Sequence, residues 1–337
     1  MNKKLKTESG DPDIPPDLIQ ESLNIDKISS KYDDDKNPLI GNTRTIFDIV
    51  KIKDVYNQAK ILNIEMITCV NNPSDNNEAD NVNTKRKIKT NIEITPLGYI
   101  NSKRKKDGIT FFGFSKEKNI NDIDISINPL EGENNVDEKF FGKHFQIKFN
   151  PEDLNYYLRD LGHGFGTFVR INSKVEIKNN FLLNIGENYL IFSLGKDNNE
   201  NENDNDTLNI KLFNASSGQT AFDFKKENSP ITIGRKPGNN IYIEDNMLSR
   251  IHCTLFNKED KWFLVDGSIN DEDENDIKKS TNGSWIYAFE DTVIYDKMSF
   301  KASHYLFECN LIDALSNSNN NNIDNSYSNK INDLNIL

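Results

Sequence analysis

What most constrains this chain is rhythm: short strand-like runs recur between turn signals, and they recur in two sets. The first set comprises Ile92 to Ile100, Ile109 to Phe114, Ile123 to Ile127, His144 to Phe149, Tyr156 to Leu161, Thr167 to Ile171 and Tyr189 to Ser193. The second comprises Leu208 to Phe213, Ile231 to Gly234, Ile241 to Ile243, His252 to Phe256, Trp262 to Val265, Ser284 to Ala288 and Tyr305 to Cys309. β-Branched and aromatic residues pack well on a pleated surface, and many short runs at even spacing are the pattern of two facing sheets. The sequence therefore predicts an all-β protein built of two successive β-sandwiches, over residues 91–195 and 208–312.

The remainder reads as lead-in, linker and tail. Residues 1–44 mix proline, acid and amide residues without a lasting apolar period and are expected to be disordered. Within the lead-in, residues 45–90, the positions Ile46, Ile49, Val50, Val55, Ala59 and Leu62 fall near helical spacing, which predicts a short helix from Thr45. Ile64 to Val70 then reads as a strand and Asn71 to Asn83 as a polar insertion. The 196–207 linker and the asparagine-rich tail at 313–337 carry too little apolar surface to offset the entropy of ordering. With 35% hydrophobic and 28% charged residues, the whole chain needs such solvated segments.

The net charge of −12 argues against nonspecific attraction to nucleic acid or to an anionic membrane. The three cysteines, Cys69, Cys253 and Cys309, are far apart and form no Cys-x-x-Cys pair, which suits a reducing compartment. The start Met1-Asn2-Lys3-Lys4 offers no myristoylation glycine and no signal-peptide stretch, and about 18 apolar residues never run together. An intracellular location, cytoplasmic or nuclear, is expected. The clusters Lys85-Arg86-Lys87 and Lys103-Arg104-Lys105-Lys106 resemble nuclear import signals only weakly and read better as solvated loop charges.

Three pieces of the last third carry chemistry: Gly234-Arg235, Ser249-Arg250-Ile251-His252 and Ser280-Thr281-Asn282-Gly283-Ser284-Trp285. Each sits where one strand-like run gives way to the next. A phosphorylated side chain brings about −1.5 to −2 charge and three strong acceptor oxygens, so its receptor needs a fixed guanidinium and several short donors at loop tips. These pieces supply both.

Taken in order with Ile231-Thr-Ile-Gly-Arg235 and Asn240-Ile-Tyr-Ile-Glu-Asp245, they resemble the forkhead-associated (FHA) family, whose members bind phosphothreonine peptides through the loops of a β-sandwich. The second set is similar to FHA proteins of ciliates and apicomplexans. The resemblance implies that Arg235, Ser249, Arg250 and Thr281 contact the phosphate, that Asn282 holds the ligand backbone, and that Gly234, His252 and Gly283 support the site. The acidic segment Asn270 to Asp276 lies beside this pocket and reads first as a solvated loop, with a preference for basic residues flanking the phosphothreonine as the sharper alternative. Trp262, Phe263 and Trp285 are expected in the core, and His163 and His304 are expected to be ordinary loop histidines.

The first set repeats the second with the chemistry removed. Phe112-Gly113-Phe114 stands where Ile233-Gly234-Arg235 stands, Ile123-Asp124-Ile125 answers Ile241-Tyr242-Ile243, His144 answers His252, and Phe165-Gly166-Thr167 answers Asn282-Gly283-Ser284. Phe114 replaces the arginine, Phe141 the serine, and Gly164 and Phe165 the threonine and asparagine. Lys143 alone does not compensate. This copy resembles a degenerate FHA domain that stabilises or orients the other.

No catalytic set competes. Gly162-His163-Gly164-Phe165-Gly166 lacks the Lys-Ser/Thr ending of a nucleotide loop, and four scattered histidines give no metal-ligand spacing. The sequence thus points to a non-enzymatic adaptor without cofactor or metal, whose partner is a phosphothreonine-containing protein. Two alternatives stay open: a phosphorylation-independent scaffold using apolar or edge-strand surfaces, and a non-catalytic subunit of a kinase or ubiquitin-ligase complex.

Overall fold

The computed structural model describes residues 46–71, 85–116, 122–129, 136–195, 207–214, 218–270 and 273–313. The expected disorder at 1–44, nearly all of the polar insertion, the 196–206 linker and the tail from 314 fall outside the described residues. The described residues are strand-rich, with one short helix at Ile46–Val55, in keeping with all-β FHA-type sandwiches. They divide into two compact units, one continuous over 168–287 and the other joining 46–167 with 288–313.

In the continuous unit one sheet runs Gly218–Lys225, Thr207–Asn214, Asn188–Gly195, Phe181–Ile185 and Trp285–Tyr287, then residues 168–170, antiparallel throughout. The second sheet has five strands in the order Ile241–Tyr242, Ile231–Gly234, Cys253–Lys258, Lys261–Asp266 and Val175–Glu176. Alternation explains the packing: Leu208, Ile210 and Leu212 point inward, as do Leu190 with Phe192 and Ile231 with Ile233, and they meet Leu255, Trp262 and Leu264 in one core. Each such side chain contributes roughly 1.5–3 kcal/mol by leaving water. Trp262 and Trp285 are buried, as the sequence suggests, whereas Phe263 is half-buried and stacks on Phe256 at 5.6 Å.

In the discontinuous unit Tyr305–Asp313 pairs with Lys60–Asn71, which pairs in turn with Lys85–Thr95, and Ser299–Ala302 and Gly98–Tyr99 flank them. Facing them are Thr292–Val293, Asn155–Asp160, Gly142–Asn150, Ile109–Phe114 and Ile125–Ser126. This core is aromatic: Phe112 stacks on Phe145 at 4.3 Å and Phe300 on Phe307 at 4.6 Å, with Phe145 and Phe307 edge-to-face at 5.4 Å.

The two sequence copies exchange strands. Residues 175–195 follow the first set of runs, yet they pair with Thr207–Asn214 and Lys261–Asp266 of the second. Reciprocally, Thr292–Val293 and Tyr305–Asp313 follow the second set and pair with Asn155–Asp160 and Lys60–Asn71 of the first. The packing therefore divides at 167/168 and 287/288, which differs from the division at 196–207 expected from the order of the runs. Repeats with the same strand pattern offer each closing hairpin two equivalent places, and local pattern does not choose between them.

Other local differences follow from pairing. The lead-in strand and its partner, Lys60–Asn71 and Lys85–Thr95, are integral to a sandwich. The helix stops at Val55 because Leu62, expected on its apolar face, is drawn into strand pairing opposite Leu311. The repeat also slips by two residues: the parallel partner of Phe112 is Ile125, and that of Ile233 is Ile241. In the second basic cluster Arg104 is not a solvated loop charge, since its side chain, 16% exposed, pairs with Asp107 at 3.3 Å and Asp124 at 3.2 Å. Lys106 donates to the carbonyls of Tyr99 and Ile100. Arg104 folds back because the Asp124 carboxylate is buried and needs a charge partner.

Candidate functional site

All eight residues singled out for the site, four for the phosphate, one for the peptide backbone and three as support, lie in the continuous unit, on three connections that meet at one end of it. The first leaves the Ile231–Gly234 strand, where the Arg235 N–H donates to the Ser249 carbonyl at 3.1 Å and the Lys236 N–H to the Arg250 carbonyl at 3.2 Å. Asn239, which sequence reasoning missed, locks this turn: its Nδ2 donates to the carbonyls of Lys236 and Arg250, both at 2.8 Å. Gly234 is needed for the approach. A Cβ there would stand 2.5 Å from the Arg250 carbonyl oxygen and 2.8 Å from that of Ser249.

The second and third connections are joined through Ser249. Its Oγ accepts the Thr281 N–H at 3.0 Å, and its hydroxyl lies 3.4 Å from Thr281 Oγ1. That second contact is long for a hydroxyl bond, so the proton is readily redirected to an incoming oxygen. Asn282 Nδ2 donates to the Met247 carbonyl at 2.7 Å, which leaves its Oδ1 and a second N–H for a ligand. Arg235, Arg250, Thr281 and Asn282 are exposed, and among the described residues neither arginine makes an ion pair.

His252 ties these loops from below. It is fully buried, its Nδ1 accepts the Ser249 N–H at 3.0 Å, and its Nε2 lies 3.1 Å from the Gly283 carbonyl. Accepting at Nδ1 fixes the tautomer, so Nε2 carries the hydrogen and donates to Gly283. Burial, above all, holds its pKa below the ordinary value and keeps the ring neutral. Beneath the turn, buried Asp266 accepts from Ser280 Oγ at 2.6 Å and Ser284 Oγ at 2.8 Å, and Ser280 Oγ accepts the Gly283 N–H at 2.9 Å. Asp266, Ser280 and Ser284 were not assigned to the site from sequence, although an acid at a strand end followed by a Ser-x-x-Gly-Ser turn is a readable signal. Gly283, at φ +79°, occupies backbone space that other residues resist.

Of the acidic segment, the Asp276 carboxylate accepts from Asn270 Nδ2 at 2.9 Å, and the side chains of 271–275 fall outside the described residues.

At the matching loop tips of the discontinuous unit, Phe114, Phe141 and Phe165 stand at the positions of Arg235, Ser249 and Asn282. Phe114 packs against Phe140 at 5.6 Å and Phe141 at 5.5 Å, and Phe140 packs against Phe165 at 5.5 Å. Lys143 is spent over the ring of Phe111 and Lys116 over that of Phe141, both at 4.1 Å. His144, buried like its counterpart, has Nε2 2.6 Å from the Phe140 carbonyl. His163 is exposed, and His304 is half-buried.

With this geometry in view, comparison with protein families gives a match to the FHA domain over residues 113–186 and again over 231–292. The chain carries two tandem FHA copies. FHA domains mediate phosphothreonine-dependent protein interactions and are generally non-catalytic. Comparison with curated proteins gives no match. Each FHA match crosses one of the packing divisions, so sequence copy and packed unit are not the same object in this protein. Among the described residues no three His, Cys, Asp or Glu side chains are grouped to hold a metal, and no helix is long and apolar enough to cross a membrane.

Proposed function

We propose that the chain is a phosphothreonine-dependent adaptor that acts through the loops of its second FHA copy. The observation that carries this reading is the convergence at Ser249. One hydroxyl is shared with Thr281, the backbone of Arg235 is hydrogen-bonded to the same residue, and two exposed arginines beside it have no acid to neutralise them among the described residues. A doubly charged phosphate fits that set. Arg235 supplies a planar fork for two oxygens, Arg250 a further contact, and Ser249 and Thr281 the short donors, while Asn282 holds the peptide backbone.

Charge-assisted hydrogen bonds are worth about 1.5–3 kcal/mol each before desolvation, so a micromolar affinity near −8 kcal/mol is expected. Calorimetry on the full chain tests the reading. Arg235→Ala is expected to weaken a phosphothreonine peptide at least about tenfold without moving the melting temperature. Equal affinity, or equal binding of the unphosphorylated peptide, would refute the role. The adaptor is read as non-enzymatic and free of cofactor or metal, with a cytoplasmic or nuclear setting.

One observation favours a scaffold role beside it. Phe289, Val293 and Tyr295 are 46%, 42% and 41% exposed on and beside an edge strand of the discontinuous unit. Pull-downs before and after phosphatase treatment separate the two modes.

A further inference from the structure

The strand exchange brings residues of the first copy to the grip of the second. Arg170 lies opposite Trp285 in the sheet, its guanidinium carbon 5.8 Å from the indole ring. A Cβ at position 283 would stand 2.7 Å from Arg170 Nε, so a glycine there lets the guanidinium lie against the turn. That turn follows Asn282. Arg170 is half-buried, and among the described residues it makes no ion pair.

The same copy reaches the grip a second way. Asn188, fully buried, donates from Nδ2 to Asp245 Oδ2 at 2.8 Å, and the Glu187 N–H donates to the same oxygen at 3.1 Å. Asn214 holds the Asn188 oxygen in turn. The other carboxylate oxygen of Asp245 accepts the Met247 N–H at 2.7 Å, and the Asp245 carbonyl accepts the Leu248 N–H at 3.1 Å. Met247 and Leu248 lead directly into Ser249, and the Met247 carbonyl is the one that anchors Asn282. Gly186 lets the donated hairpin close on this loop, since a Cβ there would meet the side chains of Asp245 and Leu248.

We propose that the phosphothreonine site is composite, with Arg170 of the first FHA copy as a further basic contact and Asn188 of that copy as a positioning residue for the Ser249 loop. The proposal rests on reading Arg235, Ser249 and Thr281 as the phosphate grip. The ligand chemistry it adds is a peptide carboxylate beside the phosphothreonine, because a half-buried cation against the backbone-holding turn selects an acidic neighbour. This preference opposes the basic one left as the alternative for the acidic 270–276 segment, and Arg170→Gln removes only the former. It also gives the degenerate copy a role in binding although phenylalanines stand at the matching positions of its own loop tips.

The test uses the full chain and two phosphothreonine peptides, one flanked by Glu and one by Gln, with Arg235→Ala as control. Arg170→Gln is expected to weaken the Glu-flanked peptide about fivefold and leave the Gln-flanked one and the melting temperature unchanged. Asn188→Asp, which sets a carboxylate against Asp245, is expected to weaken both peptides at least about tenfold. Asn188→Asp combined with Asp245→Asn removes the repulsion between two carboxylates and is expected to recover only part of the affinity, since the amide oxygen at 245 accepts one of the two N–H groups, of Glu187 and Met247, that the carboxylate accepts. The proposal falls if Arg235→Ala abolishes binding while Arg170→Gln alters neither peptide, or if Asn188→Asp leaves both affinities unchanged. No effect of Arg235→Ala would instead remove the grip, and the composite site with it.

Discussion

The two FHA copies end in the same scaffold and opposite chemistry. At the tips of one, a neutral histidine under two loops presents hydroxyls, amides and exposed arginines; at the tips of the other, the equivalent histidine sits under phenylalanines that pack on one another. In both cases the ring is buried, and burial is the largest influence lowering its pKa. The difference lies in what the ring joins. His252 bridges the Ser249 N–H and the Gly283 carbonyl, two separate connections, whereas His144 bonds the Phe140 carbonyl four residues away in its own connection. Holding a phosphate requires distant loops to be fixed against each other before the ligand arrives, and aromatic packing fixes them without leaving a donor free.

Breaking that bridge is expected to give the largest effect. His252→Ala leaves the buried Gly283 carbonyl, at about 1–3 kcal/mol, and the part-buried Ser249 N–H, at less, without partners and lets the two connections part. Phosphopeptide affinity should fall by about a hundredfold or more and the melting temperature should drop with it. His144→Ala, read by the same calorimetry and thermal melts, is expected to lower stability alone. If His252→Ala left the affinity intact, the loops would not depend on the strut.

Acidification is expected to act next, more gently and on both copies. The folded pKa values of His252 and His144 lie below the ordinary 6.5, so the unfolded chain takes up protons first as the pH drops. The stability from the neutral rings is complete above about pH 6.5 and is lost as the pH falls from there toward the depressed folded values. A thermal melt series from about pH 7.5 to about pH 5.5 should show a declining melting temperature that flattens when both histidines are replaced by Gln. Stability is the proper readout, because the phosphate of a ligand titrates near pH 6 as well.

Much of this was legible in the sequence, for reasons that also set its limits. Alternating residues such as Leu208, Ile210 and Leu212 announce a strand with one buried face, and the Gly234-Arg235, Ser249 to His252 and Thr281 to Gly283 pieces announce loop tips because their residue types suit turns and anion contact. Val175–Glu176 and Ser268–Asn270 are too short to show such alternation, and Gly218–Lys225 shows it only at Phe222 and Phe224 after a polar start, so none of the three stands out from the sequence. Strand exchange was invisible for a different reason. Whether Asn188–Gly195 joins Lys60–Asn71 or Thr207–Asn214 is a choice between two similar partners that the pattern of the strand itself does not make. Arg170 and Asn188 could not be tied to the grip before that choice was known.

Rebuilding the lost chemistry is expected to have the smallest effect. Phe114→Arg with Phe141→Ser returns the guanidinium and the hydroxyl to the degenerate copy, yet the receiving surface is unchanged in three respects. Phe165 stands where Asn282 would hold the peptide, Gly164 offers no hydroxyl in place of Thr281, and His144, although its ring lies against Gly164, has its hydrogen bond to the Phe140 carbonyl of its own connection. The new arginine would also face Lys116 and Lys143, now without the rings of Phe114 and Phe141 that complete the aromatic cluster. Measured in an Arg235→Ala background, so that the second copy is silent, the double substitution should add less than about twofold to phosphopeptide binding. A gain of about tenfold or more would mean that residue type at two positions suffices, and that the fixed distance between separate connections, which distinguishes the two copies here, matters far less than the geometry around His252 implies.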